Sequence, residues 1–324
     1  MNIGPLLKQI RKNKGLTLAQ VADATISSSY LSKVERGQND ITVTKLLHLL
    51  ERLETTPEEF LYIATDDFDA DYGNLDRMLE TYFGSSLTMS ANPQDFPETL
   101  RKMREKVRQA QTRFQQAPTL KNKLAVNARM LLPVFFQSLV IDKAHKLPVR
   151  PDLTHVAEQY LQQLDNWGEL DLYLFIIFSI AMPAETQHRL LTIAIKRSHH
   201  YRHFRSAPLL ILNLLENQVM LELTRQDNQA AAKYLNQLET ALDKKPSAEF
   251  ALWAQFHRAE LCARQGQHKK ARALLDQVVK IATTLKLKNL AETFAFARTI
   301  ILTEPPTSIY KYFHILVGSI AEGE

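Results

Sequence analysis

Along the first 65 residues apolar side chains recur three and four apart in short bursts, each cut off by a glycine or a small polar residue. That period marks amphipathic helices. Leu6, Leu7 and Ile10 turn one face of a first helix inward and leave Lys8, Lys12 and Lys14 outward, until Gly15 stops it. Leu18, Val21 and Ala22 give a second helix its buried face, with Thr17 as cap and Gln20 completing a capping box. Ser27 caps a third helix, and Ile26 and Leu31 have the spacing of a hydrophobic staple. Gly37 ends that helix, and Gln38, Asn39 and Asp40 form a loop. Ile41 and Leu46 staple a fourth helix, whose apolar positions include Leu46, Leu47 and Leu50. Thr56 to Glu59 is a second capping box with Pro57 at the first helical position, opening a fifth helix through Phe60 and Leu61.

Residues 16–36 thus read as two short helices joined by a tight turn, the pattern of a helix-turn-helix DNA reader. With Leu31 and Val34 turned to the core, Ser28, Ser29 and Lys33 lie on the other side, near the end that such motifs insert into the major groove. Small hydroxyls allow close backbone approach, and a lysine can bind guanine edges or phosphate. Lys12, Thr17, Gln20, Ser27, Tyr30, Arg36, Gln38, Asn39 and Lys45 complete the candidate DNA-binding set. Some have a second reading. Gln20 also serves as a cap, Arg36 also suits the helix C-terminal dipole, and Lys8, Lys12 and Lys14 also suit a solvated face.

Beyond an acidic link at residues 65–74, helical patterns of about 12 to 20 residues alternate with short breaks. The breaks fall near residues 85–97, 117–118, 146–151, 166–168, 183, 206–208, 226–228, 244–247, 265–268, 285–288 and 304–307. Stacked helical hairpins, an α-solenoid, follow from that layout. The clearest unit covers residues 247–284, where a Gln265-Gly266 loop and small Ala259 and Ala271 resemble a tetratricopeptide repeat. Gln255 and Arg258 stand where that pattern prefers Trp and Leu. A weaker unit covers residues 209–241, with alanines at 230–232 where helices come close. In such arrays the first helix of each pair lines a concave face. Registering the two units on that pattern places Asn213, Glu216 and Met220 on the groove from one, and Trp253, Phe256 and Glu260 from the other. Asn213 and Asn217 could hold an extended peptide backbone, while Met220, Trp253 and Phe256 hold apolar side chains. The competing reading is that these aromatics are core.

Composition agrees with an all-α protein: nine glycines in 324 residues, 45% hydrophobic residues, and many Leu, Ala, Gln, Lys and Glu. The domains expected are 1–65, a DNA-binding head; 66–74, a linker; and 75–324, a helical-repeat body. A formal charge of +5 and a pI of 9.1 suit a polyanionic partner. One cysteine, Cys262, excludes an intrachain disulfide and a cysteine-based zinc site. No basic-then-apolar leader opens the sequence, and the longest apolar run, residues 172–183, is too short for a bilayer that needs roughly 20 residues. A soluble, cytoplasmic protein is expected.

The words S-S-S-Y-L-S-K-V-E-R-G-Q-N-D-I, residues 27–41, and K-L-L-H-L-L-E-R-L, residues 45–53, resemble the head of the Rgg/GadR/MutR family, within the Cro/C1 phage-repressor-like class. Val34 stands where that family more often has Phe. YLQQLDNWGELDLYLF, residues 160–175, resembles the tryptophan-glycine turn and following apolar helix of Rgg-like regulators. The resemblance implies a five-helix phage-repressor-like head with an Arg11–Glu35 ion pair, a body that forms a homodimer, and a groove that binds a short signalling peptide, as in quorum sensing. It thereby implies a transcription regulator whose partners are double-stranded DNA, a second copy of the chain and a peptide. A ligand-independent dimeric repressor, or a scaffold recruiting a protein through the groove, are the alternatives.

No phosphate loop, nucleophile elbow or HExxH sequence is present, so no catalytic site, metal or cofactor is expected. His199 and His203 have metal-compatible spacing, but they sit with His200 among basic residues that suit a solvated surface or an acidic ligand end. Residues 66–71 lack the central Gly and the final Glu of a calcium loop. Cys262 reads as a small core residue.

Overall fold

The computed structural model describes residues 3–65, 96–142, 146–198 and 207–308. The linker at 66–74, the break at 85–95 and the 199–203 histidine cluster lie outside the described residues. The chain divides into two compact units, Met1–Asn74 and Leu75–Glu324.

The first unit contains α1 (Ile3–Asn13), α2 (Leu18–Val21), α3 (Ser28–Glu35), α4 (Val43–Arg52) and α5 (Pro57–Thr65). Its core gathers Leu7, Ile10, Val21, Ile26, Leu31, Val34, Leu49, Leu50, Leu53 and Phe60. The local devices read from the sequence are in place. The Thr17 hydroxyl accepts the N–H of Gln20, and the Gln20 amide oxygen accepts the N–H of Thr17. Ser27 accepts from the N–H of Tyr30, and Thr56 and Glu59 cap each other. One detail differs. Leu47 is 48% exposed, and Leu49 with Leu50 carries the buried side of α4, because the helix turns its 46–49–50 stripe inward.

The second unit holds α6 (Phe96–Gln116), α7 (Leu120–Phe135, prolonged by a π-helical stretch Phe136–Ile141), α8 (Pro151–Gln163), α9 (Glu169–Ser179) and α10 (Ala184–Arg197). It continues through α11 (Ala207–Thr224), α12 (Asn228–Lys244), α13 (Ala248–Arg264), α14 (His268–Thr284) and α15 (Lys288–Thr303). From α11 onward contacts run mainly between sequence neighbours, and α9, α11, α13 and α15 also touch next-but-one. That is the one-dimensional packing of a helical-repeat array. Ala231, Ala259 and Ala271 are fully buried where helices of a pair approach. Trp167 is fully buried, its indole N–H donating to the Leu161 carbonyl at 3.0 Å. Arg197 donates to the Gln162 carbonyl at 2.9 Å and so closes the end of α8.

Among the described residues, six helices end by one device: a residue with positive φ, followed by an N–H that reaches back five residues. It occurs at Gly15, Gly37, Glu54, Gln226, Gly266 and Lys286, with bonds such as Gln38 N–H to Lys33 C=O and Gln267 N–H to Cys262 C=O, both 2.9 Å. Three of the six are not glycine, and there the backbone bonds hold a conformation that L side chains disfavour.

Candidate functional site

In the first unit α3 is anchored from its inner side. Leu31 and Val34 are buried, and Glu35 receives both arms of the Arg11 guanidinium, at 2.6 and 2.8 Å. The same guanidinium donates to the Leu16 carbonyl at 2.7 Å, tying α1 to the start of the helix-turn-helix. Glu35 raises the Arg11 pKa above its ordinary value, chiefly through this hydrogen bond. With the inner face committed, Ser29 and Lys33 are exposed and Ser28 is half-buried on the opposite side. Lys12, Thr17, Gln20, Ser27, Arg36, Gln38 and Asn39 are exposed around it, while Tyr30 and Lys45 are half-buried. The caps at Thr17, Gln20 and Ser27 occupy part of their hydrogen-bonding capacity, so Ser29 and Lys33 are the two exposed side chains on α3 without a capping duty.

Two devices that fix α3 escape a reading of spacing. Gly4 of α1 lies so close to α3 that an added Cβ would come within 2.0 Å of the Val34 carbonyl oxygen. Asp23, in the turn between α2 and α3, accepts from the N–H groups of Thr25 and Ile26 at 2.8 and 2.9 Å and bonds His48 Nε2 at 2.6 Å. Arg52 of α4 adds bonds to the carbonyls of Gln20 and Val21 at 2.9 and 3.2 Å. An Asp in a turn was the local signal for the first of these contacts; the partners on α4 had none.

These bonds, first that from Ile26 and then that from His48, hold the Asp23 carboxyl down to about 2. A depressed carboxyl stabilises the fold above its unfolded value, here 3.8, and loses that contribution as the pH falls toward 2. Asp23→Asn is therefore expected to lower the head's resistance to amide exchange at pH 6 and to match wild type near pH 2. A deficit independent of pH would contradict this.

In the second unit most of the expected groove wall lies inside. Asn217, Met220, Trp253, Phe256 and Glu260 are buried, and only Asn213 and Glu216 of that set are partly exposed. For the two aromatics the cause is the helix next but one. Phe294 of α15 meets the Trp253 ring edge-on at 4.7 Å and stacks on Phe256 at 5.2 Å, so both aromatics are core. Asn217 donates to the Ser179 hydroxyl at 3.0 Å, and Glu260 pairs with Arg264 at 2.8 Å. Glu216 Oε1 accepts from His257 Nε2 at 2.7 Å, with the imidazole fully buried. A cluster the sequence did not single out joins Gln187 and His188 of α10 to Gln218, Glu222 and Arg225 at the end of α11. A cleft of about 520 Å³ opens between α6 and the end of α7, with Val107, Met130, Pro133 and Val134 in its wall beside Arg104 and Arg108. No group of three or more potential metal ligands occurs among the described residues, and no helix there is long and apolar enough to cross a membrane.

Comparison with known proteins matches residues 140–296 to the family described as HTH-type transcriptional regulator Rgg, C-terminal domain, and residues 7–60 to a helix-turn-helix family. Among solved structures, a chain from Listeria monocytogenes EGD-e superposes with a TM-score of 0.70 at 18% identity, covering 93% of this chain and 97% of that one. The SHP pheromone receptor Rgg2 of Streptococcus dysgalactiae gives 0.66 at 16% identity, over 94% of this chain and 100% of that one. ComR from S. thermophilus, solved with DNA and its signalling peptide ComS, gives 0.51 at 13% identity, over 92% and 99%. At these identities the structures establish the shared fold: a helix-turn-helix unit followed by a helical-repeat array.

Proposed function

Because this chain belongs to the Rgg family of DNA-binding transcription regulators rather than to a family of enzymes, we propose that it works in the cytoplasm as a homodimer whose two heads read DNA half-sites. Residues 1–65 act as the head, 66–74 as the link and 75–324 as the dimerising, ligand-sensing body. The observation that carries the reading is the division of α3: Leu31, Val34 and Glu35 are locked inward, which leaves Ser29 and Lys33 free to face the major groove. Half-buried Ser28 shares that face with them, and Lys12, Arg36, Gln38, Asn39 and Lys45 flank the three and serve phosphates.

Lys33→Ala and Ser28→Ala are expected to weaken binding to a duplex selected with the wild-type protein, each by about 1–3 kcal/mol if the contact is to a base edge. The head's amide exchange should stay unchanged. A gel-shift measurement giving wild-type affinity for both would displace α3 from the groove.

The body's ligand is proposed to be a short peptide. Support comes from the array itself, from the partly exposed Asn213 and Glu216 on α11, and from similarity in fold to Rgg2, named as a pheromone receptor, and to ComR, solved with its signalling peptide. The burial of Met220, Trp253 and Phe256 favours a second reading, a dimeric repressor that needs no ligand. Calorimetry of the full chain against short peptides encoded beside its gene separates the two. Binding that changes DNA affinity supports the sensor, and its absence supports the ligand-independent repressor.

A further inference from the structure

Tyr30 stands on α3, yet two of its contacts reach along the loop toward α4. Its hydroxyl donates to the Asp40 carbonyl at 3.0 Å. The ammonium of Lys45, in the first turn of α4, lies 4.2 Å from the centroid of its ring. Thr42 fixes the same turn, its hydroxyl accepting the Lys45 N–H at 3.4 Å. The ring itself packs against the head's apolar core, so it is a rigid platform rather than a mobile surface group.

We infer that Tyr30 is a positioning residue for Lys45, holding its ammonium beside α3 to meet a backbone phosphodiester of the duplex. The inference rests on the DNA-facing reading of α3 and deepens it. A lysine has three rotatable donors on a long flexible stem, and docking it on a phosphate costs much of that freedom. An aromatic face attracts the cation without neutralising it, as a carboxylate would, so the charge stays available to an anion. The hydroxyl bond to Asp40 is a second tie to the loop before α4, while the ring alone makes the contact with Lys45. On this account Tyr30 contributes little base discrimination of its own, because its hydroxyl is already committed.

The test uses the full-length protein and one duplex selected with wild type, with affinity measured across a range of salt concentrations. Lys45→Ala is expected to lower the slope of log affinity against log salt by about 0.9 for each head, the loss of one phosphate contact. Tyr30→Leu should lower the slope almost as much, and Tyr30→Leu with Lys45→Ala should lower it no further. Tyr30→Phe keeps the ring and should keep the wild-type slope. Should amide exchange show that Tyr30→Leu opens the head, Tyr30→Met, whose unbranched side chain adapts to an irregular gap, takes its place. A wild-type slope in the Tyr30 variant beside a reduced one in Lys45→Ala would overturn the inference, as would summed losses in the double variant or an unchanged slope in Lys45→Ala. Salt-insensitive binding by the wild-type protein would instead overturn the DNA-facing reading itself.

Discussion

Replacing Arg11 with alanine is expected to destabilise the head by about 3–5 kcal/mol, because it strands a buried carboxylate. Glu35 has 3% of its side chain exposed and accepts both guanidinium arms, and among the described residues no other side chain donates to it. A unit of this size holds only about 3–10 kcal/mol in total. The substitution therefore removes a large share of the head's stability and releases α3 from α1. Arg11→Lys keeps a charge but loses the forked geometry and the bond to the Leu16 carbonyl, and should fall in between. Arg11→Leu with Glu35→Leu removes both charges and should recover most of the loss, since replacing a buried pair by apolar side chains is often close to neutral. Amide exchange across α1 and α3 in the full chain reads the head separately from the body. Equal protection in Arg11→Ala and wild type would mean that the pair is not what holds α3.

Gly4→Ala should also be damaging, though less so, for a steric reason. The added Cβ would fall 2.0 Å from the Val34 carbonyl oxygen and 3.1 Å from its carbon. Both are backbone atoms of α3, so no side chain can move aside. Either α1 or α3 must shift, at about 1–3 kcal/mol as for an overpacked core, and the shift changes the angle at which α3 is presented. DNA affinity should accordingly fall by more than the loss of folded protein explains. Pro5→Ala, one residue along and exposed, should stay within about 0.5 kcal/mol of wild type. If Gly4→Ala bound DNA and exchanged amides like Pro5→Ala, the close approach would carry no weight.

What was legible in the sequence was what is decided locally. Thr17 with Gln20, Ser27, and Thr56 with Glu59 each satisfy backbone donors within four residues, so their spacing alone predicts them. The repeat hairpins were legible for the same reason, because α11–α12 and α13–α14 are bounded by short turns. The Arg11–Glu35 pair came from family resemblance, and the structure contains it.

Contacts set by tertiary packing were not legible. Gly4 looks like an ordinary helix start until α3 crosses it. Gln226 and Lys286 end helices as Gly266 does, but without the glycine that would announce it. Trp253 and Phe256, registered on the groove from one repeat, pack in the core, because such a register does not show that Phe294 from a later helix fills the space beside them. His48 and Arg52 bind the α2–α3 turn from 25 to 32 residues away, a separation at which spacing carries no signal.

The central claim is that two copies of α3, held in fixed register by the body, read one duplex. Hydroxyl-radical footprinting of the full-length protein on its selected site tests it most directly. Two protected patches on one face of the duplex are predicted, their centres about one helical turn or a whole multiple apart, both lost in Lys33→Ala. A single patch, or two that persist in Lys33→Ala, would contradict it.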